Sequence, residues 1–83
     1  MDKKLFPVTS LKEGKEGVIH SISGGLSLIS RLAGMGVIPG TEIKVLLNNR
    51  GPVIVLVNNT RVALGRGQAS KILVAFDPSQ KKG

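Results

Sequence analysis

Residues 41–64 read TEIKVLLNNRGPVIVLVNNTRVAL, and this stretch decides the fold because three strands can be read from it in series. Apolar and polar residues alternate over residues 41–48, which predicts a strand with one face in the core. Residues 53–57 are apolar on both faces, as in a strand buried inside a closed or two-layered sheet. Asn58 and Asn59 tolerate positive φ and predict a tight hairpin turn before a third strand that ends the stretch.

A further strand is predicted ahead of this stretch, at residues 17–23. Ile19 and Ile22 lie three positions apart, so a regular pleat would send them to opposite faces, and a bulge or sharp bend is expected. Gly24 and Gly25 break the strand and precede a helix. We therefore interpret both glycines as structural residues at the start of that helix.

One short amphipathic helix is predicted at about residues 26–35, after the first strand. Its apolar stripe consists of Leu28, Ile29, Leu32, Ala33 and Met35. Gly36 stands where a left-handed C-terminal cap would lie, and Pro39-Gly40 stops the helix and predicts a turn. We expect Leu28, Leu32 and Met35 to plug the open end of a barrel, and a partner-binding surface is the alternative.

Loops and one helical turn connect the remaining strands. Gly51-Pro52 lies in the loop between the first two strands of the deciding stretch, and Gly65 ends its third strand. Glycine and proline are the usual residues of such turns. A single helical turn is predicted at residues 68–71, and a last strand at residues 72–76.

The chain ends are predicted to be solvated or loosely held, at residues 1–15 and in the flexible basic tail at 77–83. Between them we expect one core at about residues 11–76, so that residues 1–83 form a single domain. Five to six short strands in so small a chain cannot cover both faces of an open sheet. They predict a mainly β fold, a small SH3-like barrel with one inserted helix.

The composition favours an intracellular protein with acidic partners. The chain has 12 basic and 5 acidic residues, a net charge of +7, and no cysteine. Without cysteine, disulfides and thiolate metal sites cannot form, which fits a reducing cytoplasm. No apolar run is longer than five residues, whereas a membrane-spanning helix needs about 20, so no membrane insertion is expected. The charge attracts nucleic acid, an anionic membrane surface or an acidic protein, and charge alone does not choose among them.

A pattern of residues along the whole predicted core is specific enough to compare with known families. Its most specific part is Arg31-Leu32 followed by MGVIPG at residues 35–40, where a helix end and a strand-initiating turn keep a fixed spacing. The other matching positions are Leu11, Gly14, Gly17-Val18-Ile19, Ile22, Gly24-Gly25, Ile43, Val45, Gly51-Pro52, Val55, Ala63-Leu64, Ala69 and Lys71-Ile72. This pattern resembles the FeoA family.

The resemblance implies an SH3-like fold, a cytoplasmic location and a non-enzymatic accessory role in bacterial ferrous-iron uptake. It also implies association with FeoB, the membrane transporter for ferrous iron that carries a cytosolic guanine-nucleotide-binding domain. The same fold resembles the C-terminal domain of the diphtheria-toxin-repressor class of metal-dependent regulators, where it is attached to a DNA-binding domain.

Few side chains in the sequence can bind a metal or carry catalysis. The candidate ligands are one histidine and five acids, and Glu13, Glu16 and His20 are the set closest in sequence. They lie around glycines with no visible second shell, so we predict no metal site and interpret His20 as a surface residue. Nucleophilic catalysis needs a base and a group that orients it, and one histidine without cysteine predicts no enzyme.

Two glycine motifs are similar to phosphate-binding loops but lack the rest of the motif. Gly65-Arg66-Gly67 begins like a dinucleotide fingerprint, yet the third small residue is out of place and no chain remains for the acidic residue about 20 positions on. Gly24-Gly25 is followed by no Gly-Lys-Ser/Thr. We therefore predict a turn and a helix start respectively, and no cofactor.

Basic side chains are the predicted protein contacts: Arg31, Arg61, Arg66 and Lys71. A guanidinium offered to a nucleotide-binding partner could stabilise charge during hydrolysis, and docking through one or more of these residues is the broader hypothesis. The alternative is that Arg31 packs its stem on the barrel and that Arg61 and Arg66 are solvated.

Two other functions stay open at this point. The charge and the glycine-centred first strand are also similar to those of small KOW-like barrels that bind nucleic acid, but Phe6 and Phe76 are the only aromatic residues available for base stacking. No stable nucleic-acid complex is therefore expected. Exposed strand edges could pair two copies, which leaves a weak homodimer as an alternative.

Overall fold

The structure, a computed structural model, describes residues 4–76 and is mainly β, as the sequence predicted. Its elements in chain order are β1 (Leu5–Pro7), a 3-10 helix (Val8–Ser10), β2 (Glu16–Ile22), α1 (Leu26–Gly34), β3 (Glu42–Asn48), β4 (Val53–Val57), β5 (Thr60–Leu64), α2 (Arg66–Ala69) and β6 (Ile72–Ala75). Neither α-helix of this range is long and apolar enough to cross a bilayer. The tail predicted at residues 77–83 lies outside the described residues.

Within residues 4–76, six strands form one antiparallel sheet in the order β1-β6-β2-β3-β4-β5. The 3-10 helix after β1 contacts α2, which follows β5. The two edges of the sheet are thereby brought toward each other. This curvature is that of the predicted SH3-like barrel.

The core is aliphatic and draws on nearly every element. Its fully buried side chains include Val8, Ile19, Leu32, Ile43, Val45, Val53, Val55, Leu64, Ile72 and Val74. α1 contributes Leu32, and Leu28 packs against the same cluster. The predicted plug was wrong in its third member, because Met35 lies just past the end of the helix and remains 37% exposed.

Residues 5–11 belong to the fold, which corrects the prediction of a loosely held end at residues 1–15 for the part that the structure describes. β1 pairs with β6, and Val8 is fully buried. A strand of three residues is too short to show a periodic pattern, and Pro7 at its end argues against a strand by composition. Proline is tolerated here because β1 is an edge strand.

The register of β2 is irregular, as its sequence predicted. Its pairing with β6 shifts between Ile19 and Ser21. Ile19 is therefore buried while Ile22 packs against the same core, and His20 between them stays exposed. The bulge resolves the conflict between a spacing of three and a strand period of two.

α1 ends in a Schellman motif. Gly36 has φ +86°, and its N–H donates to the Ala33 carbonyl at 3.0 Å. The N–H of Val37 donates to the Leu32 carbonyl at 2.9 Å, and both of these side chains are fully buried. Glycine adopts this left-handed backbone without a Cβ penalty, so the helix ends here and the chain turns back into the core.

Of the two turns next to β5, the hairpin before it lies where it was predicted, and the helical turn after it begins earlier than predicted. Asn58 and Asn59 have φ of 53° and 62°, both positive as the predicted hairpin between β4 and β5 requires. α2 begins at Arg66, two residues before the predicted helical turn at 68–71. The N–H of Gly65 donates to Gln68 Oε1 at 3.3 Å, which starts the turn earlier.

Gly17 in β2 lies against the end of β6, where no side chain fits. A Cβ at this position would contact the Val74 side chain and stand 2.9 Å from the Ala75 carbonyl oxygen. We expect Gly17→Ala to lower the free energy of unfolding by about 1–3 kcal/mol, the usual cost of overpacking. Urea unfolding followed by circular dichroism measures this loss.

Gly34→Ala is the matched control for this substitution. A Cβ on Gly34 meets nothing within 4 Å, and the residue lies in the last turn of α1. Alanine is the better helix former, so the control is expected to be neutral or slightly stabilising. Equal unfolding midpoints for the two variants would contradict the close packing at Gly17.

Candidate functional site

The four basic residues predicted as protein contacts lie on different parts of the fold. Arg31 is exposed on α1, Arg61 is exposed on β5, and Lys71 is exposed between α2 and β6. Arg66 is half-buried at the start of α2. The structure therefore separates the set, and each member has to be considered in its own surroundings.

Arg31 and Lys71 are each related to Leu28 of α1. A Cβ on Gly24 would stand 2.8 Å from Leu28 Cδ2 and 3.6 Å from Lys71 Cδ, so these two side chains approach each other at the start of α1. Arg31 is three residues after Leu28, on the same helix face. We call Leu28, Arg31 and Lys71 the helix-end surface, a half-buried leucine with one basic residue close to it and another one helical turn further along α1.

Arg66 is bound within the fold. Its Nη1 donates to Asn48 Oδ1 at 2.9 Å and to the Gly51 carbonyl at 3.2 Å, and it also contacts the Asn49 carbonyl. These acceptors lie at the last residue of β3 and in the loop that follows it, so Arg66 ties that loop to α2. Because its guanidinium has these partners inside the chain, we no longer expect Arg66 to contact a partner protein.

Asn48 is the centre of this polar network. Its Nδ2 donates to the Thr9 carbonyl at 3.0 Å and to the Leu11 carbonyl at 2.7 Å, while its backbone N–H donates to Glu13 Oε2 at 2.9 Å. Its Oδ1 accepts the bond from Arg66. The sequence placed Asn48 where the strand predicted at residues 41–48 meets the following loop. It gave no sign of these contacts, because the partners before β2 are 35 to 39 positions away.

The outer face of the sheet carries a charged row beside an apolar one. The register across β2, β3, β4 and β5 aligns Glu16, Lys44, Leu56 and Arg61. The next row along β3, β4 and β5 aligns Leu47, Ile54 and Ala63. Arg61 therefore stands at the border between charged and apolar surface.

An open depression covers the apolar row, with a volume of about 500 Å³. We call it the sheet groove, lined by Leu46, Leu47, Ile54, Arg61 and Ala63. β3 shifts its pairing with β4 between Val45 and Leu47, so two successive leucines contribute to the groove. This shift was not predicted.

The sheet groove also corrects the prediction for residues 53–57. Val53, Val55 and Val57 are buried as expected, but Ile54 and Leu56 between them are only half-buried. An apolar run alone cannot show whether a second layer covers its other face. Here the inner face meets the core, and no second layer of the described residues covers the outer face.

A second depression of about 390 Å³ lies across the charged row. Its lining includes Glu16 and Glu42, together with Lys44 and the turn residues Asn58 and Asn59. The two depressions therefore differ in charge. The sheet groove has an arginine and no carboxylate in its lining, whereas the second depression has two carboxylates and one lysine.

The structure shows hydrogen-bond partners within the chain for two of the candidate metal ligands named from the sequence, Glu13 and His20. Glu13 accepts the backbone bond from Asn48, and His20 Nδ1 lies 3.1 Å from Ser21 Oγ on an exposed strand segment. Within residues 4–76, no three His, Asp or Glu side chains come together in a group that could hold a metal ion.

The two phenylalanines pack on each other and on the core. Their ring centroids are 5.4 Å apart with the planes tilted by 51°, and Lys15 Nζ lies 5.4 Å from the Phe76 centroid. Both Phe6 and Phe76 are half-buried against the aliphatic cluster. They are thus engaged in packing, whereas proteins that bind single strands present such rings to the bases.

The two glycine motifs that are similar to phosphate-binding loops each lie at the start of a helix. Gly25 is the N-cap of α1, and Gly65 is the N-cap of the four-residue α2.

Gly40 in the Pro39-Gly40 turn has φ +93° and donates its N–H to the Ile19 carbonyl at 2.7 Å. This turn connects the chain after α1 to β2.

Comparison with known proteins gives one consistent result. The model of the FeoA domain family matches residues 6–75. Fe(2+) transport protein A of Methanocaldococcus jannaschii is 39% identical over 70 residues, which are 84% of this chain and 85% of that protein.

Solved structures agree in fold and, in one case, in sequence. A crystal structure of the iron uptake regulatory protein FeoA superimposes with a TM-score of 0.82 at 33% identity, over 87% of this chain and 97% of that one. A manganese-dependent transcriptional repressor has a TM-score of 0.85 at 20% identity, over 93% of this chain and 44% of that one, and shares the fold alone. Because the family model spans nearly all the described residues and two relatives agree over most of their length, the chain belongs to the FeoA family.

Proposed function

We propose that this chain is a non-enzymatic accessory protein of ferrous-iron uptake, acting in the cytoplasm. In this role it docks on the cytosolic domain of the FeoB transporter and modulates transport. The observation that carries the proposal is the FeoA family match across residues 6–75. In support, one relative is named for Fe(2+) transport and one solved structure for iron uptake regulation.

The distribution of polar groups suits a docking protein. Arg31, Arg61 and Lys71 are exposed, and the chain has a net charge of +7. Such a surface speeds encounter with an acidic partner and helps to orient it. Glu13 and Arg66, by contrast, make hydrogen bonds inside the chain that hold its loops.

Deletion of the gene tests the proposed function in the cell. We expect lower uptake of radioactive ferrous iron under iron limitation, with the amount of folded FeoB unchanged on an immunoblot. Expression of the wild-type chain from a plasmid should restore uptake. Unchanged uptake in the deletion strain would overturn the proposed function.

A further inference from the structure

The sheet groove is an apolar depression with a cation at its border. Leu47 in its lining is 41% exposed, and the apolar row continues from it through half-buried Ile54 to exposed Ala63. Its volume of about 500 Å³ is within the range of pockets that receive ligands or partner side chains. The groove therefore offers a partner side chain an apolar contact with a cation beside it.

The charges around the sheet groove are distributed unevenly. Arg61 lines it, Lys44 stands in the same charged row, and exposed Arg50 lies in the loop that follows β3. Both carboxylates of this face line the second depression with Lys44: Glu16 is the neighbour of Lys44 at the far end of the charged row, and Glu42 lies beyond that row. A partner with negative charge is therefore attracted to the groove side and repelled from the other side.

We propose that the sheet groove receives an apolar side chain from an acidic segment of the partner protein. The carboxylates of that segment pair with Arg61, the cation in the lining of the groove. This inference rests on the proposed function and adds the contact surface and the chemistry of the segment bound. Burial of Leu47 and Ile54 supplies affinity, and the charged row supplies orientation, because a reversed segment would face Glu16 and Glu42.

Two other occupants fit the groove less well. A second copy of the chain would bring a further charge of +7 and a second Arg61 to the same face. The C-terminal residues 77–83, DPSQKKG, contain no large apolar side chain and more cations than acids. An acidic partner segment combines negative charge with a large apolar side chain, which neither of these two occupants does.

Isothermal titration calorimetry with the full chain and the purified cytosolic domain of FeoB tests the inference. Arg61→Glu and Ala63→Glu are each expected to weaken binding about tenfold or more, the loss typical of a residue central to an interface. Both residues are exposed, so both variants should fold, which circular dichroism checks. Lys12→Glu makes the same change in net charge as Arg61→Glu, on an exposed loop, and is expected to cost less than about threefold, as a remote charge does.

The outcomes separate this inference from the proposed function. Wild-type affinity in both groove variants overturns the inference and leaves the proposed function standing, and a loss in Arg31→Glu or Lys71→Glu would then assign docking to the helix-end surface. Absence of binding by the wild-type chain overturns both. If the groove variants abolish a dimer seen by light scattering and bind FeoB normally, the occupant is a second copy and the inference is wrong.

Discussion

Leu32→Ala is expected to lower the free energy of unfolding by about 2–5 kcal/mol, the range for a leucine removed from a packed core. Leu32 is fully buried, and it is the one residue of α1 that is. Its carbonyl also accepts the Val37 bond that closes the helix. A cavity at this point separates α1 from the sheet, and a loss of this size is a large part of the stability of a small domain.

Leu26→Ala on the same helix is the control, because Leu26 is 82% exposed. Urea unfolding of both variants gives the comparison, and the control should stay within about 0.5 kcal/mol of the wild type, as surface substitutions do. A loss below about 1 kcal/mol in Leu32→Ala would show that α1 contributes little to the core.

Asn48→Ala is the second substitution with a large expected effect, a loss of about 2–4 kcal/mol, since the side chain makes three hydrogen bonds at a half-buried position and each contributes about 0.5–1.5 kcal/mol. The Thr9 and Leu11 carbonyls would lose their donor, and Arg66 would lose one acceptor. The 3-10 helix, the β3–β4 loop and α2 would then be held by fewer contacts.

Two variants sharpen this test. Asn49→Ala is the control, because Asn49 is exposed and offers Arg66 only its backbone carbonyl. Asn48→Asp keeps an acceptor for Arg66 but loses both side-chain donations, so it should also destabilise. Unfolding midpoints measure all three, and an Asn48→Ala variant as stable as Asn49→Ala would contradict the central role of this side chain.

Local patterns in the sequence predicted most of the fold. The period-two alternation in β3, the Asn58-Asn59 hairpin and the spacing of Ile19 and Ile22 each depend on backbone geometry within a few residues. The structure has all three features where they were predicted. β1 was missed because its stability comes from pairing with β6, almost 70 positions later in the chain, and not from its own three residues.

The candidate site was less predictable because it depends on long-range placement. Basic residues can be counted in a sequence, but only the fold shows that Arg66 is bound to Asn48 while Arg61 borders open apolar surface. The sheet groove itself depends on a register shift at Leu47 and on an outer face that nothing covers in the described part of the chain. Neither feature has a local signal in the sequence.

Co-purification of the chain with the cytosolic domain of FeoB, in its nucleotide-free, GDP-bound and GTP-analogue-bound states, tests the docking role most directly. We expect a complex in at least one of these states at physiological salt, and we expect it to weaken as salt is raised because surface charge pairs are screened. Failure to retain the chain in any nucleotide state, with both proteins folded, would contradict the docking role.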